Sequence, residues 1–109
     1  SNAHLYRIMK ILNLLSELQF SIYQAMVRVN HTEDVTVQDI GEMLRAMPGV
    51  LTIGQVSHNG DNNTAVLKVK LLTTKPASEA FASFKSTSVQ RIPEVKKIEI
   101  ADKTIEKKK

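Results

Sequence analysis

Apolar residues near the start of the chain recur at steps of three and four positions. The residues with this spacing are Leu5, Ile8, Leu12, Leu15 and Leu18, with Ile11 and Leu14 beside them. This is the period of one face of an α-helix, and it predicts an amphipathic helix over residues 4–19. The apolar stripe is wider than packing on one small sheet requires. Two interpretations stay open: the helix covers its own domain, or its surplus surface contacts a second copy of the chain or another protein.

The pattern then changes to alternation. Apolar and polar residues alternate over residues 20–29, which predicts a first strand. After a polar loop, the Thr36 hydroxyl and the Asp39 carboxylate have the three-residue spacing of a capping box at a helix N-terminus. A helix is therefore predicted over residues 37–47.

Pro48 and Gly49 separate this helix from the next strand. Proline cannot continue the helical hydrogen bonding and glycine can adopt a left-handed backbone, so the chain is expected to turn into a strand over residues 50–57. The polar residues 58–63 give the strongest turn signal in the sequence. Alternation then predicts a third strand over residues 64–72, which completes a hairpin.

The last third of the chain repeats the order of helix, proline and strand. Helical spacing over residues 77–91 predicts a second domain helix, with Phe81 and Phe84 as core anchors rather than as a ligand site. Pro93 follows this helix, and residues 95–100 predict a fourth strand.

These elements predict an α+β domain. Two strand-helix-strand halves joined by a hairpin form a four-stranded antiparallel sheet with two helices on one face. Right-handed crossovers place the first and third strands in the centre and the other two at the edges. The predicted organisation is a tag remnant at residues 1–3, an N-terminal helix at 4–19, the domain at 20–102 and a lysine-rich tail at 103–109. No methionine follows the tag remnant, which leaves two interpretations open: the chain is a domain of a longer polypeptide, or the tag replaced the initiator methionine.

Two helix-to-strand junctions carry a resemblance to known families. They are Met47-Pro48-Gly49-Val50 and Ile92-Pro93-Glu94-Val95. With this element order, residues 20–100 resemble ferredoxin-like βαββαβ domains, including the ACT group of small-ligand regulatory modules, and are similar to small uncharacterised proteins of tailed bacteriophages. The ACT likeness implies a regulatory small-molecule site, and the phage likeness implies a structural or accessory protein. The motifs are specific for the fold and not for a function, because this architecture carries many unrelated activities.

The chain also departs from the functional families that share this architecture. ACT modules usually have an acidic residue followed by Pro-Gly after the first strand, whereas residues 30–34 contain neither proline nor glycine. Metal-carrying relatives use a Cys-x-x-Cys loop, and this chain has no cysteine. RNA-binding relatives stack bases on aromatic side chains of the central strands. The corresponding outward positions here are Met26, Arg28, Val66, Lys68 and Lys70.

Polar residues after the first predicted strand supply the candidate ligand site. Small-molecule binding in the ACT manner would use Asn30, Thr32, Asp34 and Thr36. His31, Glu33 and Asp34 together are what an ordinary helix lead-in contains, so no metal and no cofactor are predicted. His58 is expected to be solvated in the hairpin. Because the sequence places no second residue to partner it in acid–base chemistry, no enzymatic activity is predicted.

Basic side chains are expected on the outer face of the two central strands. Arg28, Lys68 and Lys70 should share this open face, with Val66 beside them. The face is either a half-solvated sheet or a contact surface, since domains of this type associate through such faces or through strand edges. Basic groups without aromatic neighbours could hold phosphates but would not read bases.

Composition limits the remaining possibilities. A chain of 109 residues with 42% hydrophobic residues is long enough for one core and one domain. No apolar run is long enough to span a bilayer, so a soluble protein, cytoplasmic or virion-associated, is expected. Most of the net charge of +4 comes from lysines in the last fourteen residues. They are expected to be solvated rather than to bind nucleic acid.

Taken together, these patterns predict a non-enzymatic interaction or assembly module that forms a homo-oligomer, in the simplest case a dimer. The contact would use the helix residues Leu5, Ile8, Leu12 and Leu15 or the open-face residues Arg28, Val66, Lys68 and Lys70. The first alternative is an ACT-like small-molecule regulatory domain. The second is weak, sequence-independent binding of nucleic acid.

Overall fold

The computed structural model describes residues 2–17, 19–101 and 106–108, with the side chains of all of these except 14–17 and 108. Within these residues, helices and strands follow one another as α1 (Asn2–Glu17), β1 (Ser21–His31), α2 (Val37–Arg45), β2 (Val50–Asn59), β3 (Thr64–Thr73), α3 (Ala77–Arg91), β4 (Val95–Ile100) and β5 (Glu106–Lys108). The protein is therefore α+β, as predicted.

The sheet is organised around β1. On one side, β3 pairs with it antiparallel over nearly its whole length. On the other side, β4 pairs antiparallel with the end of β1, and β5 pairs antiparallel with its start. β2 completes the order β2-β3-β1-β4 by pairing antiparallel with β3. The strands β1 and β3 are central, as predicted, and the order is compatible with a ferredoxin-like fold.

One face of the sheet forms the core with α2 and α3. Alternate residues of the two central strands point to this face and are buried: Ala25, Val27, Val29, Ala65, Leu67, Val69 and Leu71. α2 adds Ile40 and Leu44. α3 adds Phe81 and Phe84, whose rings meet edge to face with centroids 6.5 Å apart. The prediction that both phenylalanines are core anchors is confirmed.

α2 begins at the predicted capping box. The Asp39 backbone N donates to Thr36 Oγ1 at 3.1 Å, and the Thr36 backbone N donates to the Asp39 carboxylate at 3.3 Å. Both donors would otherwise lack an intrahelical partner. The helix ends at Arg45 rather than at the predicted Met47.

Gly49 makes the turn from α2 into β2. Its φ of +81° lies in the left-handed region. Its carbonyl oxygen accepts a hydrogen bond of 2.8 Å from the Leu72 backbone N, and a Cβ at this position would lie 3.3 Å from the Leu72 carbonyl oxygen. Glycine therefore permits both the turn and the close approach of β3.

The limits of two strands differ from the sequence-based prediction. β1 begins at Ser21, after the exposed Phe20, and extends to His31, which was expected in a polar loop. The strand Glu106–Lys108 was not predicted, because a solvated tail was expected at residues 103–109. Its backbone pairs with β1, so the sheet continues past the predicted end of the domain. The rest of that tail lies outside the described residues.

α1 takes no part in the core. All of its described side chains, from Asn2 to Asn13, are exposed. The described molecule accordingly measures 63 Å along its longest axis and 28 by 19 Å across it. The interpretation that this helix covers its own domain is therefore wrong for the described side chains. None of the helices in the described part of the chain combines the length and the apolar character needed to cross a membrane.

Candidate interaction surfaces

α1 presents a row of exposed apolar side chains. Six of them are between 43% and 68% exposed: Leu5, Tyr6, Ile8, Met9, Ile11 and Leu12. Leu15, which continues the predicted stripe, lies in α1, but its side chain is outside the described residues, as is Leu18 at the end of the stripe. A contiguous exposed apolar surface on a small protein commonly marks a contact site.

Two charged side chains of α1 lie on its other side. Helical geometry places Arg7 and Lys10 opposite Leu5 and Leu12, because residues three, four and seven apart share one side of a helix. The helix therefore has one charged face and one apolar face, although neither face contacts the domain core.

The open face of the sheet carries the second set of predicted contact residues. In the antiparallel register, Arg28 lies opposite Val66, and Lys68 and Lys70 occupy the same face of β3. Arg28 and Lys68 are exposed, and Val66 and Lys70 are half-buried. The structure thus brings these four residues together on one surface, and α1 does not cover it.

Glu99 of β4 neutralises part of this basic face. Its carboxylate lies 2.6 Å from Lys97 Nζ and 3.9 Å from a guanidinium nitrogen of Arg28. The hydrogen bond and charge of Lys97, and then the charge of Arg28, hold the pKa of Glu99 below its ordinary value. Neither Lys68 nor Lys70 forms a salt bridge within the described part of the chain. These two lysines therefore carry most of the positive charge of the face.

The residues of the predicted small-molecule site are only partly brought together. The Thr32 hydroxyl donates a hydrogen bond to Asp34, which lowers the pKa of that carboxyl. Thr36 is engaged as the cap of α2, and Asn30 lies on the open face opposite Thr64. None of the four lines the two depressions that lie along α3, one beside Gly49 and Phe84 and the other beside Lys85 and Ile98.

His31 and His58 form a pair that the sequence analysis missed. His31 is 3% exposed and occupies the core face at the end of β1. Its Nδ1 donates to the Thr32 carbonyl oxygen at 2.8 Å, and its Nε2 lies 3.3 Å from His58 Nε2. His58 is exposed as expected, and its neighbour His31 is a partner that the sequence alone did not place beside it. The sequence does indicate that His31 is buried, because His31 continues the two-residue alternation of the buried Val27 and Val29.

The structure separates the sequence neighbours that were weighed as metal ligands. His31 is buried, whereas Glu33 and Asp34 are exposed. Among the residues that the structure describes, no three histidine or carboxylate side chains come together as a metal site.

Comparisons of the chain with protein families, with characterised proteins and with solved structures give no significant match.

Proposed function

We propose that the protein is a non-enzymatic assembly module that self-associates through α1. We also propose that its domain belongs to the ferredoxin-like group, and the strand order β2-β3-β1-β4 with two helices on one face supports this assignment. The observation that most supports self-association is the exposure of the apolar residues of α1. A role in a phage particle stays a prediction.

A second copy of α1 is the partner that fits this helix. Residues spaced as Leu5, Ile8 and Leu12 form a seam that is complementary to itself, as in coiled coils. A helix of 16 residues is only marginally stable alone in water, so contacts with a neighbouring helix would also stabilise its structure. Both effects favour association of like helices.

The apolar surface of α1 is large enough to offset the lower estimates of the association cost. Complete burial of a leucine, isoleucine or methionine side chain contributes about 1.5 to 3 kcal/mol. The apolar side chains of α1 are about half exposed, so each would contribute roughly 1 kcal/mol. Several such residues from each of two or more chains together exceed the lower estimates of the association cost, about 4 kcal/mol.

The open face of the sheet is a weaker candidate for a contact between identical chains. A two-fold interface would place this surface against itself. Lys68 and Lys70 of one copy would then approach the same residues of the other, and like charges in contact are unfavourable. The open face would therefore suit a different partner better than a second copy.

The two alternative functions gain less support. In the predicted small-molecule site, the hydroxyl oxygen atoms of Thr32 and Thr36 are engaged in local hydrogen bonds. For nucleic acid, Arg28 shares its charge with Glu99, which leaves few free cations on the open face. Affinity that falls steeply with salt would nevertheless favour the nucleic-acid alternative.

Light scattering coupled to size-exclusion chromatography tests the proposal. The parent chain should be an oligomer at high micromolar concentration, and the double variant Ile8→Gln/Leu12→Gln should be a monomer. The matched control is Arg7→Gln/Lys10→Gln, which puts the same residue type on the charged face and should leave the oligomer intact. Glutamine is a good helix former, so all variants keep the helix propensity. A monomeric parent, or an oligomer unaffected by the Ile8 and Leu12 changes, would refute the proposal.

A further inference from the structure

We infer that α1 assembles into a bundle of three or four helices rather than into a two-stranded coiled coil. The inference rests on the proposed self-association through α1 and specifies its stoichiometry. The main support for a bundle comes from the side chains that flank the apolar seam.

The seam of α1 has heptad spacing. When the helix is written as abcdefg, Leu5 and Leu12 occupy position a and Ile8 occupies position d. Met9 then falls at position e and Ile11 at position g. All five side chains are exposed in the single chain.

Positions e and g distinguish a pair of helices from a larger bundle. In a two-stranded coil, only a and d are fully enclosed, while e and g flank the seam and usually carry charged residues. Each additional helix widens the face that every helix buries, so that e and g come to face neighbours. Met9 and Ile11 are each 56% exposed. A two-stranded coil would leave much of both in water, whereas three or four helices would enclose them.

The residues of the seam favour the same stoichiometry. Two-stranded parallel coils prefer a β-branched residue at a and leucine at d, and the combination of leucine at a with isoleucine at d shifts the preference to trimers and tetramers. α1 has Leu5 and Leu12 at a, Ile8 at the first d position and Leu15 at the second. The first heptad thus has the combination of residues that favours trimers and tetramers.

The short helix and its narrow charged face are consistent with such a bundle. α1 has 16 residues, little more than two heptads, so two helices alone would bury a small area. A third or fourth helix increases the apolar area that each chain buries without requiring a longer segment. Arg7 and Lys10, at positions c and f, would remain on the outside in solvent.

Native mass spectrometry and sedimentation equilibrium of the full chain test the inference. The parent should be a trimer or a tetramer. The double variant Met9→Gln/Ile11→Gln changes only positions e and g, which a two-stranded coil tolerates. It should reduce the stoichiometry to a dimer or monomer, or weaken association at least tenfold. The Arg7→Gln/Lys10→Gln control should match the parent, and circular dichroism should show that every variant keeps the folded domain.

The outcomes separate this inference from the proposed function. A parent dimer that Ile8→Gln/Leu12→Gln dissociates and Met9→Gln/Ile11→Gln leaves unchanged would overturn the bundle while self-association through α1 stands. A trimer or tetramer with unchanged affinity in the Met9 and Ile11 variant would also overturn it. A parent that is monomeric throughout would overturn both.

Discussion

The Nε2 atom of His31 lies 3.3 Å from the Nε2 atom of His58, and the two ring centroids are 5.4 Å apart. His31 Nδ1 donates to a backbone carbonyl, so in the neutral ring its Nε2 can only accept a hydrogen bond. His58 Nε2 is then the donor. The pair therefore joins β1 to β2 across the intervening strand β3 at the hairpin end of the sheet.

Loss of the His58 ring should destabilise the domain, although the side chain is exposed. His58→Ala leaves the acceptor nitrogen of the buried His31 without its partner, and we expect a loss of about 1 to 3 kcal/mol in the free energy of unfolding. Urea denaturation at neutral pH measures it. Gln55→Ala, at an exposed position of the same strand, is the control and should change stability by less than about 0.5 kcal/mol. Equal effects of the two substitutions would mean that the histidine pair contributes nothing.

Gly49 should be intolerant of a side chain. Gly49→Ala forces alanine into a left-handed backbone, which costs about 1 to 2 kcal/mol, and brings its Cβ close to the Leu72 carbonyl oxygen. Thermal and urea denaturation would both report the loss. Gly60→Ala is the matched control, because a Cβ there meets no other atom within 4 Å. If the two variants are equally stable, the turn does not need glycine.

The capping box of α2 should contribute measurably to stability. Thr36→Ala removes the hydroxyl that accepts from the Asp39 backbone N, and we expect a loss of about 1 kcal/mol. Thr36→Ser keeps the acceptor and should retain most of the stability of the parent. Urea denaturation of the three chains distinguishes these cases. A serine variant as unstable as the alanine variant would show that the methyl group of threonine, not the cap, matters.

Glu99 should make stability depend on pH in the acid range. Its pKa is lowered in the folded state by Lys97 and Arg28, so the carboxylate stabilises the fold above its unfolded pKa, near 4.5. This stabilisation is lost as the pH falls through the lowered folded value. The parent should therefore be more stable than Glu99→Gln at neutral pH, and the difference should disappear in acid.

Denaturant titrations of both chains at a series of pH values check this prediction. Glu42→Gln is a suitable control, because Glu42 forms no salt bridge with the described residues. A difference between the parent and Glu99→Gln that is constant with pH would contradict the assigned ion pairs.

The sequence predicts the regular elements well where local signals agree. α3 has the predicted bounds, residues 77–91. The chain also turns from α2 into β2 at the predicted Pro48-Gly49, where Gly49 has a left-handed backbone. The apolar stripe of α1 also follows from spacing alone. Its lack of contact with the domain could not be predicted, because spacing shows which face is apolar and not what covers that face.

Features that depend on sheet register escaped the sequence analysis. His31 and His58 are 27 positions apart and meet only because β3 aligns their strands. The residues of β5 are charged and do not alternate, so their strand structure comes from pairing with β1 and not from propensity. In both cases the deciding interaction is tertiary, and no short window of sequence contains it.

The pairing of β5 with β1 places the last described strand of the chain beside the start of the first. β5 contacts β1 at Ile22, Tyr23 and Gln24, immediately after the segment that leads out of α1. β3 pairs with the same three residues from the other side, where Leu72, Leu71 and Lys70 lie opposite them. The backbone of this stretch of β1 is therefore hydrogen-bonded on both sides, which closes it to the addition of a further strand.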